Sequence, residues 1–170
     1  AAKRKRFTRE FLNRNRDSFD LYGSVSFSNR TLIDDDKRNG ILDYRYTLAF
    51  DNQNTIKNFF GTQFTDAILT WTVPFFWGGG NSEYFPEKSF DRFDVDDYNE
   101  IDRLLNIVND PSDYDDRLDA VSEARQLILN QYNMWPTIKK AIESLTASEY
   151  AATTKAKRQG TKAGKQFVKQ

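Results

Sequence analysis

The chain has 170 residues, of which 38% are hydrophobic, and it carries 25 basic and 25 acidic side chains. This length fits one compact domain with terminal extensions. The chain has no cysteine and no histidine. Disulfides, thiolate metal sites and the commonest general base are therefore excluded, together with the nucleophile pairs that depend on them. No apolar run approaches the ~20 residues that cross a bilayer, so we predict no membrane partner.

The zero net charge hides two basic ends and an acidic middle. Residues 1–16 contain seven basic residues and one acid, and residues 151–170 contain six basic residues and no acid. The middle therefore holds the remaining 12 basic and 24 acidic residues. Basic ends of this kind suit phosphates or the acidic faces of neighbouring subunits. We predict a basic N-terminal arm (1–16), one α+β domain (17–150) and a basic C-terminal tail (151–170).

The first half of the chain has the pattern of strands. A short helix is predicted over residues 8–16, and apolar residues then alternate with polar ones over 21–27 and again over 41–50. Alternation with period two is typical of a strand with one buried face. The segment between the two strands ends in Asn39-Gly40, a pair that favours a tight turn. We therefore predict an antiparallel hairpin.

A third apolar segment precedes a run of three glycines. Residues 55–60 predict a short helix and residues 68–76 a strand, which Pro74 confines to an edge or a strand end. Gly78-Gly79-Gly80 breaks regular structure and is interpreted as a hinge or subunit-contact loop, because the lysine of a phosphate loop does not follow. The aromatic residues before the glycines belong to the core or, alternatively, form an interaction patch, and they are Trp71, Phe75, Phe76 and Trp77.

The second half has the pattern of helices. Asp97 and Glu100 indicate a helix start, and apolar residues follow at helical spacing to Val108. Asp110-Pro111 opens a longer helix with acids in its first turns and an apolar stripe reaching Tyr132. A third helix begins near Trp135. Its inward residues are predicted to be Ile138, Ala141, Ile142 and Leu145.

The fold class predicted from these elements is α+β. An antiparallel hairpin or small sheet in the first half is packed by the helical second half, with basic arms at both ends. The best-formed apolar faces should meet in the core. This places four strand residues, Leu42, Tyr44, Tyr46 and Leu48, against three residues of the longer helix, Leu118, Val121 and Ile128.

The basic tail has a helical spacing of its own. Five basic residues step by three and four positions, so a helix would place them on one stripe; they are Lys155, Arg158, Lys162, Lys165 and Lys169. Gly160 and Gly164 each cost a helix about 1 kcal/mol. We therefore predict a tail that is disordered when free and helical when bound.

Carboxylates are the remaining candidates for chemistry. They are densest at Asp94, Asp96, Asp97, Glu100 and Asp102. Two carboxyls on opposite sides of a cleft would be needed for glycosidase-type hydrolysis, whereas this run is typical of a solvated loop with helix caps. Neither this run nor Asp34 to Asp36 matches an EF-hand, so no metal, cofactor or catalytic residue is predicted, and a weak surface cation site is the alternative.

These observations favour a non-enzymatic structural subunit of a large assembly. We predict a viral or phage virion component, such as a capsid, neck or tail-connector protein, assembled in the host cytoplasm; a cytoplasmic protein is the alternative location. Its partners would be copies of itself, other subunits, or DNA or RNA held by the arms. The predicted binding residues are Lys3, Arg4, Lys5, Arg6, Arg9, Arg14 and Arg16, together with the five residues of the tail stripe. A nucleic-acid-binding protein of a ribonucleoprotein or nucleoid is the alternative function, and a carboxylate-dependent hydrolase is the least favoured.

Overall fold

The structure is a computed structural model of the chain, and it describes residues 2–15, 19–22, 28, 30–32, 36–52, 55–56, 59–79, 82–145 and 154–155. It divides into two units, Ala1–Ile128 and Leu129–Gln170. Of the helices in these ranges, none is both long and apolar enough to span a membrane. The helices and strands are α1 (Ala2–Arg14), β1 (Tyr46–Phe50), α2 (Thr62–Leu69), β2 (Val73–Trp77), β3 (Asp91–Arg92), α3 (Asn99–Asn109), α4 (Asp113–Leu127) and α5 (Met134–Ser144).

The sheet has three strands in the order β1-β2-β3, and both pairs are parallel. Tyr46 lies opposite Val73 and Phe50 opposite Trp77, and α2 forms the crossover between these two strands. Mixed helix and strand content is confirmed, but the predicted antiparallel pairing is wrong. Alternation specifies that a segment is a strand, not the direction of its partner. Asn39 and Gly40 lie in a 3-10 turn, Lys37–Gly40, and most of the predicted strand 21–27 lies outside the described residues.

One face of the sheet is covered by α2 and α4. Ala49 of β1 and Phe76 of β2 point to this face and pack with Phe64 and Ile68 of α2 and with Ala124 of α4. All five side chains are at most 1% exposed. The crossover helix therefore buries its apolar side against the two strands that it connects, which anchors its first turn beside their carboxyl ends.

The opposite face is covered by α1 and α3. Phe75 of β2 packs there with Phe7 of α1 and Leu104 of α3, and Tyr46 and Leu48 are partly buried in the same cluster. The predicted packing of Leu42, Tyr44, Tyr46 and Leu48 against Leu118, Val121 and Ile128 is therefore wrong, and Leu42 is 56% exposed. Tyr46 contacts α4 near its start instead, with its ring centre 6.0 Å from that of Tyr114. A parallel sheet is normally covered on both faces, so β1 has no solvent-facing side of the kind that its alternation predicts.

Helix α1 is part of the core of the first unit. Phe7 is fully buried and Phe11 is 3% exposed, although the segment was predicted as an arm. Burying each phenylalanine contributes about 1.5 to 3 kcal/mol. The basic residues of α1 are therefore carried on a helix whose other side is fixed to the sheet. The three-part division of the chain stays a prediction.

The predicted helices of the second half are confirmed, with shifted ends. Helix α3 begins at Asn99, and α4 begins at Asp113, two residues after Pro111. The three acids Asp113, Asp115 and Asp116 stand in the first turn of α4, where the positive end of the helix dipole stabilises them. Beyond Leu127 the backbone widens into a π-helical turn, Ile128–Tyr132.

The second unit contains α5. Asn133 caps this helix, because its side chain accepts a hydrogen bond from the N–H of Trp135 at 2.9 Å. The apolar residues predicted to face inward are exposed instead: Ile138 is 41% and Ile142 is 65% exposed. In the described part of the chain, α5 is therefore an amphipathic helix with an open apolar side.

Candidate functional site

The carboxyl ends of β1 and β2 form a polar edge. Asp51 and Asn52 directly follow β1, and Gly78 and Gly79 directly follow β2. The ladder continues one residue beyond the strands, since the N–H of Asp51 donates to the carbonyl of Trp77 at 2.9 Å. In open parallel sheets, ligands bind outside the carboxyl ends of the strands. We refer to this region as the carboxyl edge.

The first turn of α2 is joined to the end of β1 by two hydrogen bonds. The N–H of Gly61, the residue that precedes α2, donates to Asp51 Oδ1 at 2.9 Å. The N–H of Phe50 donates to Gln63 Oε1 at 3.0 Å. Because first-turn amides have no partner within their own helix, the N–H groups of Thr62 and Gln63 point out of α2 at this edge. The positive end of the helix dipole lies there as well.

Two guanidinium groups also reach the carboxyl edge. Arg4 of α1 donates to the carbonyls of Phe50 and Asp51 at 3.4 and 3.5 Å. Arg92 of β3 donates to the carbonyl of Gly78 at 3.3 Å, and its guanidinium lies 5.4 Å from the centre of the Phe76 ring. Burial lowers the pKa of Arg92. The carboxyl edge therefore combines two cationic groups with a helix N-terminus, and this combination suits an anionic ligand.

A surface cavity of about 800 Å³ opens beside Arg92. Three basic and three acidic residues line it, namely Lys88, Arg92, Arg117, Glu83, Glu87 and Asp91. Arg117 and Asp91 are paired with each other at 2.7 Å. Ligand pockets usually have volumes of about 300 to 1,000 Å³. The cavity therefore lies within the usual size range of a ligand pocket.

Asp51 is the one acid buried at the carboxyl edge in the part of the chain that the structure describes. Its side chain is 3% exposed, and its Oδ2 makes no hydrogen bond with any described residue. Burial raises the pKa of Asp51, and the Gly61 N–H and the charge of Arg4 lower it by smaller amounts. Its charge is thus disfavoured where it stands.

Replacing Asp51 with asparagine should flatten the pH dependence of stability. The pKa of Asp51 is raised in the folded protein, so above pH 3.8 the unfolded chain loses its proton first and the wild type loses stability as the pH rises. This loss stops once the pH has passed the folded pKa, and Arg4 is the charged neighbour that limits it. Chemical denaturation of both proteins from pH 3 to 8 measures the free energy of unfolding. The value for the variant should rise relative to that of the wild type as the pH increases from 3.8 to the folded pKa of Asp51. A constant difference would contradict the prediction.

The predicted basic residues of the N-terminal segment are spread over α1. Lys3 pairs with Asp96 at 2.5 Å, and Arg14 pairs with Glu10 at 2.9 Å and with Asp102 at 3.2 Å. Lys5, Arg6 and Arg9 are exposed, with Arg6 lying 5.9 Å from the centre of the Tyr98 ring, and Arg16 lies outside the described residues. Arg4 is the member of this segment that contacts the carboxyl edge.

The tail stripe is described at one residue. Lys155 is exposed in a helical turn, whereas Arg158, Lys162, Lys165 and Lys169 lie outside the described residues. The role of the basic residues of either end in binding partners or nucleic acid therefore stays a prediction.

The four aromatic residues before the glycines do not share one environment. Phe75 and Phe76 are buried on opposite faces of the sheet, in the two core clusters. Trp77 is partly exposed, and Trp71 is 40% exposed with a positive φ of 64°. Arg125 lies 5.4 Å from the centre of the Trp71 ring. These residues therefore contribute mainly to the core, and Trp71 presents the largest exposed surface of the four.

The carboxylates of the acidic loops make local hydrogen bonds and ion pairs. Asp94 accepts from the N–H of Asp96 at 3.0 Å, and Asp97 accepts from the N–H of Asn99 at 2.9 Å. Asp36 pairs with Arg38, and Asp34 and Asp35 lie outside the described residues. Within the described ranges, no three acidic residues converge as metal ligands would.

The sequence interpretation missed Asp51, Gln63 and Arg92. A polar pair directly after an apolar strand, as in Asp51-Asn52, is a signal for the ligand edge of a parallel sheet. Glycines that directly follow a second buried strand strengthen this signal. The predicted antiparallel hairpin has no edge at which the carboxyl ends of both strands meet, so it does not bring these residues together.

The sheet is parallel and covered by helices on both faces, and its carboxyl edge carries positive charge. This arrangement is typical of proteins that bind phosphorylated ligands. Residues 1–150 match the family model described as glycosyltransferase family 10 (fucosyltransferase) C-term, so the chain belongs to this family. No curated protein and no solved structure matches the chain.

The family match overturns several predictions. The chain belongs to a family of enzymes, so the non-enzymatic structural role is wrong, and the nucleic-acid-binding and hydrolase alternatives are not supported. The virion location depended on the structural role and is wrong for the same reason. Absence of histidine and cysteine had been taken as absence of a catalytic apparatus, although sugar transfer requires neither residue type.

Proposed function

We propose that this chain takes part in the transfer of fucose from an activated donor to an acceptor hydroxyl. The family match over residues 1–150 is the observation that carries the proposal. Activated sugars commonly have a phosphate or nucleoside-diphosphate leaving group. The donor would lie with this group at the carboxyl edge, near the first turn of α2.

The charges of the carboxyl edge fit this reaction. When the bond between the sugar and its leaving group breaks, negative charge accumulates on the leaving phosphate. Positioned cations and amide N–H groups stabilise such charge most where water is excluded. Arg4 and Arg92 are the cations at this edge, and Thr62 and Gln63 supply outward amides. We propose that these four residues hold the leaving group.

The decisive test is binding of the donor by the full chain. Calorimetric titration with GDP-fucose should show saturable binding, and UDP-galactose should bind more weakly. Transfer is then measured as labelled fucose incorporated into oligosaccharide acceptors with free hydroxyls. Absence of GDP-fucose binding at millimolar concentration would overturn the proposal.

Alanine at Arg4 or at Arg92 should weaken the reaction by about 10²-fold in kcat/KM, because each removes one charge that stabilises the leaving group. The matched control is Arg38→Ala, since Arg38 is exposed and pairs with Asp36 away from the edge. Thermal unfolding of all three variants separates lost binding from lost folding. Equal activity of the Arg92 and Arg38 variants would place the donor elsewhere.

A further inference from the structure

Asp51 occupies a space that two glycines leave open. A Cβ atom at Gly61 would lie 2.0 Å from Asp51 Oδ1. One at Gly78 would lie 2.6 Å from Cζ of Phe76 and 2.8 Å from both Cβ and Oδ2 of Asp51. A side chain at Gly61 therefore requires the carboxyl to move, and one at Gly78 requires the Phe76 ring and Asp51 to move.

The carboxyl of Asp51 links the end of β1 to the start of α2. Oδ1 accepts the Gly61 N–H, Oδ2 is enclosed without a partner among the described residues, and the side chain is 97% buried, being 3% exposed. Leaving a buried polar atom unpaired costs free energy. A buried carboxyl that costs free energy at a ligand-binding edge indicates a role in fixing the geometry of that edge.

The start of α2 depends on few other contacts. Gly61 offers no side chain to cap the helix, and the helix is eight residues long. The second connection to β1 is the bond from the Phe50 N–H to Gln63, whose side chain is exposed. Removing the Asp51 carboxyl should therefore loosen the first turn of α2 without unfolding the sheet behind it.

We propose that Asp51 is a positioning residue of the donor site, whose buried carboxyl fixes the first turn of α2 so that the amides of Thr62 and Gln63 face the donor. This inference rests on the proposed function. Asp51 itself does not touch the donor, because its oxygens are buried behind Gly61 and Gly78.

The test compares Asp51→Ala with Asp51→Asn in the full chain. Asparagine keeps an oxygen that accepts the Gly61 N–H, whereas alanine does not. In the alanine variant, hydrogen exchange at the hydrogen-bonded amides of Gly61, Phe64 and Thr65 should accelerate about tenfold or more, and the Kd for GDP-fucose should rise about tenfold. The asparagine variant should stay within about threefold of wild type in both measurements. Asp66→Ala, later on the same helix, is the matched control and should change neither.

Unchanged exchange and unchanged Kd in the alanine variant would overturn the inference. A defect in the asparagine variant as large as that of alanine would also overturn it, because the connection needs only an acceptor oxygen. If alanine prevents folding, Asp51→Leu takes its place, because leucine has a similar shape and no acceptor oxygen, with the same expected results and the same outcomes that overturn the inference. If the wild type does not bind GDP-fucose, the proposed function fails, while the exchange measurement alone still shows whether Asp51 orders the start of α2.

Discussion

Replacing Phe64 with alanine should lower the free energy of unfolding by about 3 to 5 kcal/mol. Phe64 is fully buried on α2, and four other rings surround it. The ring centres lie 5.0 Å from Phe60, 4.9 Å from Phe76, 5.2 Å from Phe85 and 5.3 Å from Phe90. The variant loses the transfer free energy of the ring and leaves a cavity that rigid neighbouring rings cannot fill.

Chemical denaturation of the full chain measures this loss. Trp135→Ala is the matched control, because the tryptophan side chain is 71% exposed and its removal should change stability by less than about 0.5 kcal/mol. A loss below about 1 kcal/mol at Phe64 would mean that α2 is not packed on the sheet as described. Because the first turn of α2 belongs to the proposed donor site, donor affinity should fall with stability in this variant.

Local pattern predicted the existence of β1, β2, α3 and α4 but not how the strands pair. The alternation over 41–50 identified β1, and the acids after Pro111 identified the start of α4. Strand pairing was assigned from proximity in sequence, because a turn pair at Asn39-Gly40 lay between two alternating segments. In the structure, β1 pairs with β2 across a helical crossover, and such a pairing leaves no turn signal in the sequence.

The candidate site was missed for a chemical reason as well as a topological one. Nucleophiles, histidine bases and metal clusters leave a recognisable pattern in a sequence, and they are needed when an enzyme forms a bond to the substrate or activates water. Departure of the leaving group from an activated sugar is helped by positioned positive charge, which arginine side chains can supply. Arg4 was singled out as a basic residue of an arm. Its approach to the carbonyls of Phe50 and Asp51 depends on the burial of Phe7, which the charge count does not reveal.

Alanine at Arg117 should cost about 3 to 5 kcal/mol, comparable to the loss at Phe64. The Arg117 side chain is 13% exposed and pairs with Asp91 at 2.7 Å and with Asp113 at 2.6 Å. Asp113 also accepts the hydroxyl of Tyr46 at 2.9 Å, so the arginine joins α4 to both outer strands of the sheet. Its removal leaves two partly buried carboxylates without this counter-charge, and Asp113 is the one of the two that does not line the surface cavity. The free energy of unfolding at neutral pH is the measurement.

The cost should come from the unpaired charge and not from the lost ion pair itself. Asp91 keeps a second partner, Arg103 at 2.9 Å, whereas Asp113 keeps only neutral donors. Combining Arg117→Met with Asp113→Asn should therefore recover a large part of the loss, since asparagine still accepts from Tyr46 and carries no charge. The control is Arg38→Ala, whose exposed pair with Asp36 is worth at most about 1 kcal/mol. If the double variant is no more stable than Arg117→Met alone, the penalty lies in packing around the arginine stem, and the electrostatic account of this network is wrong.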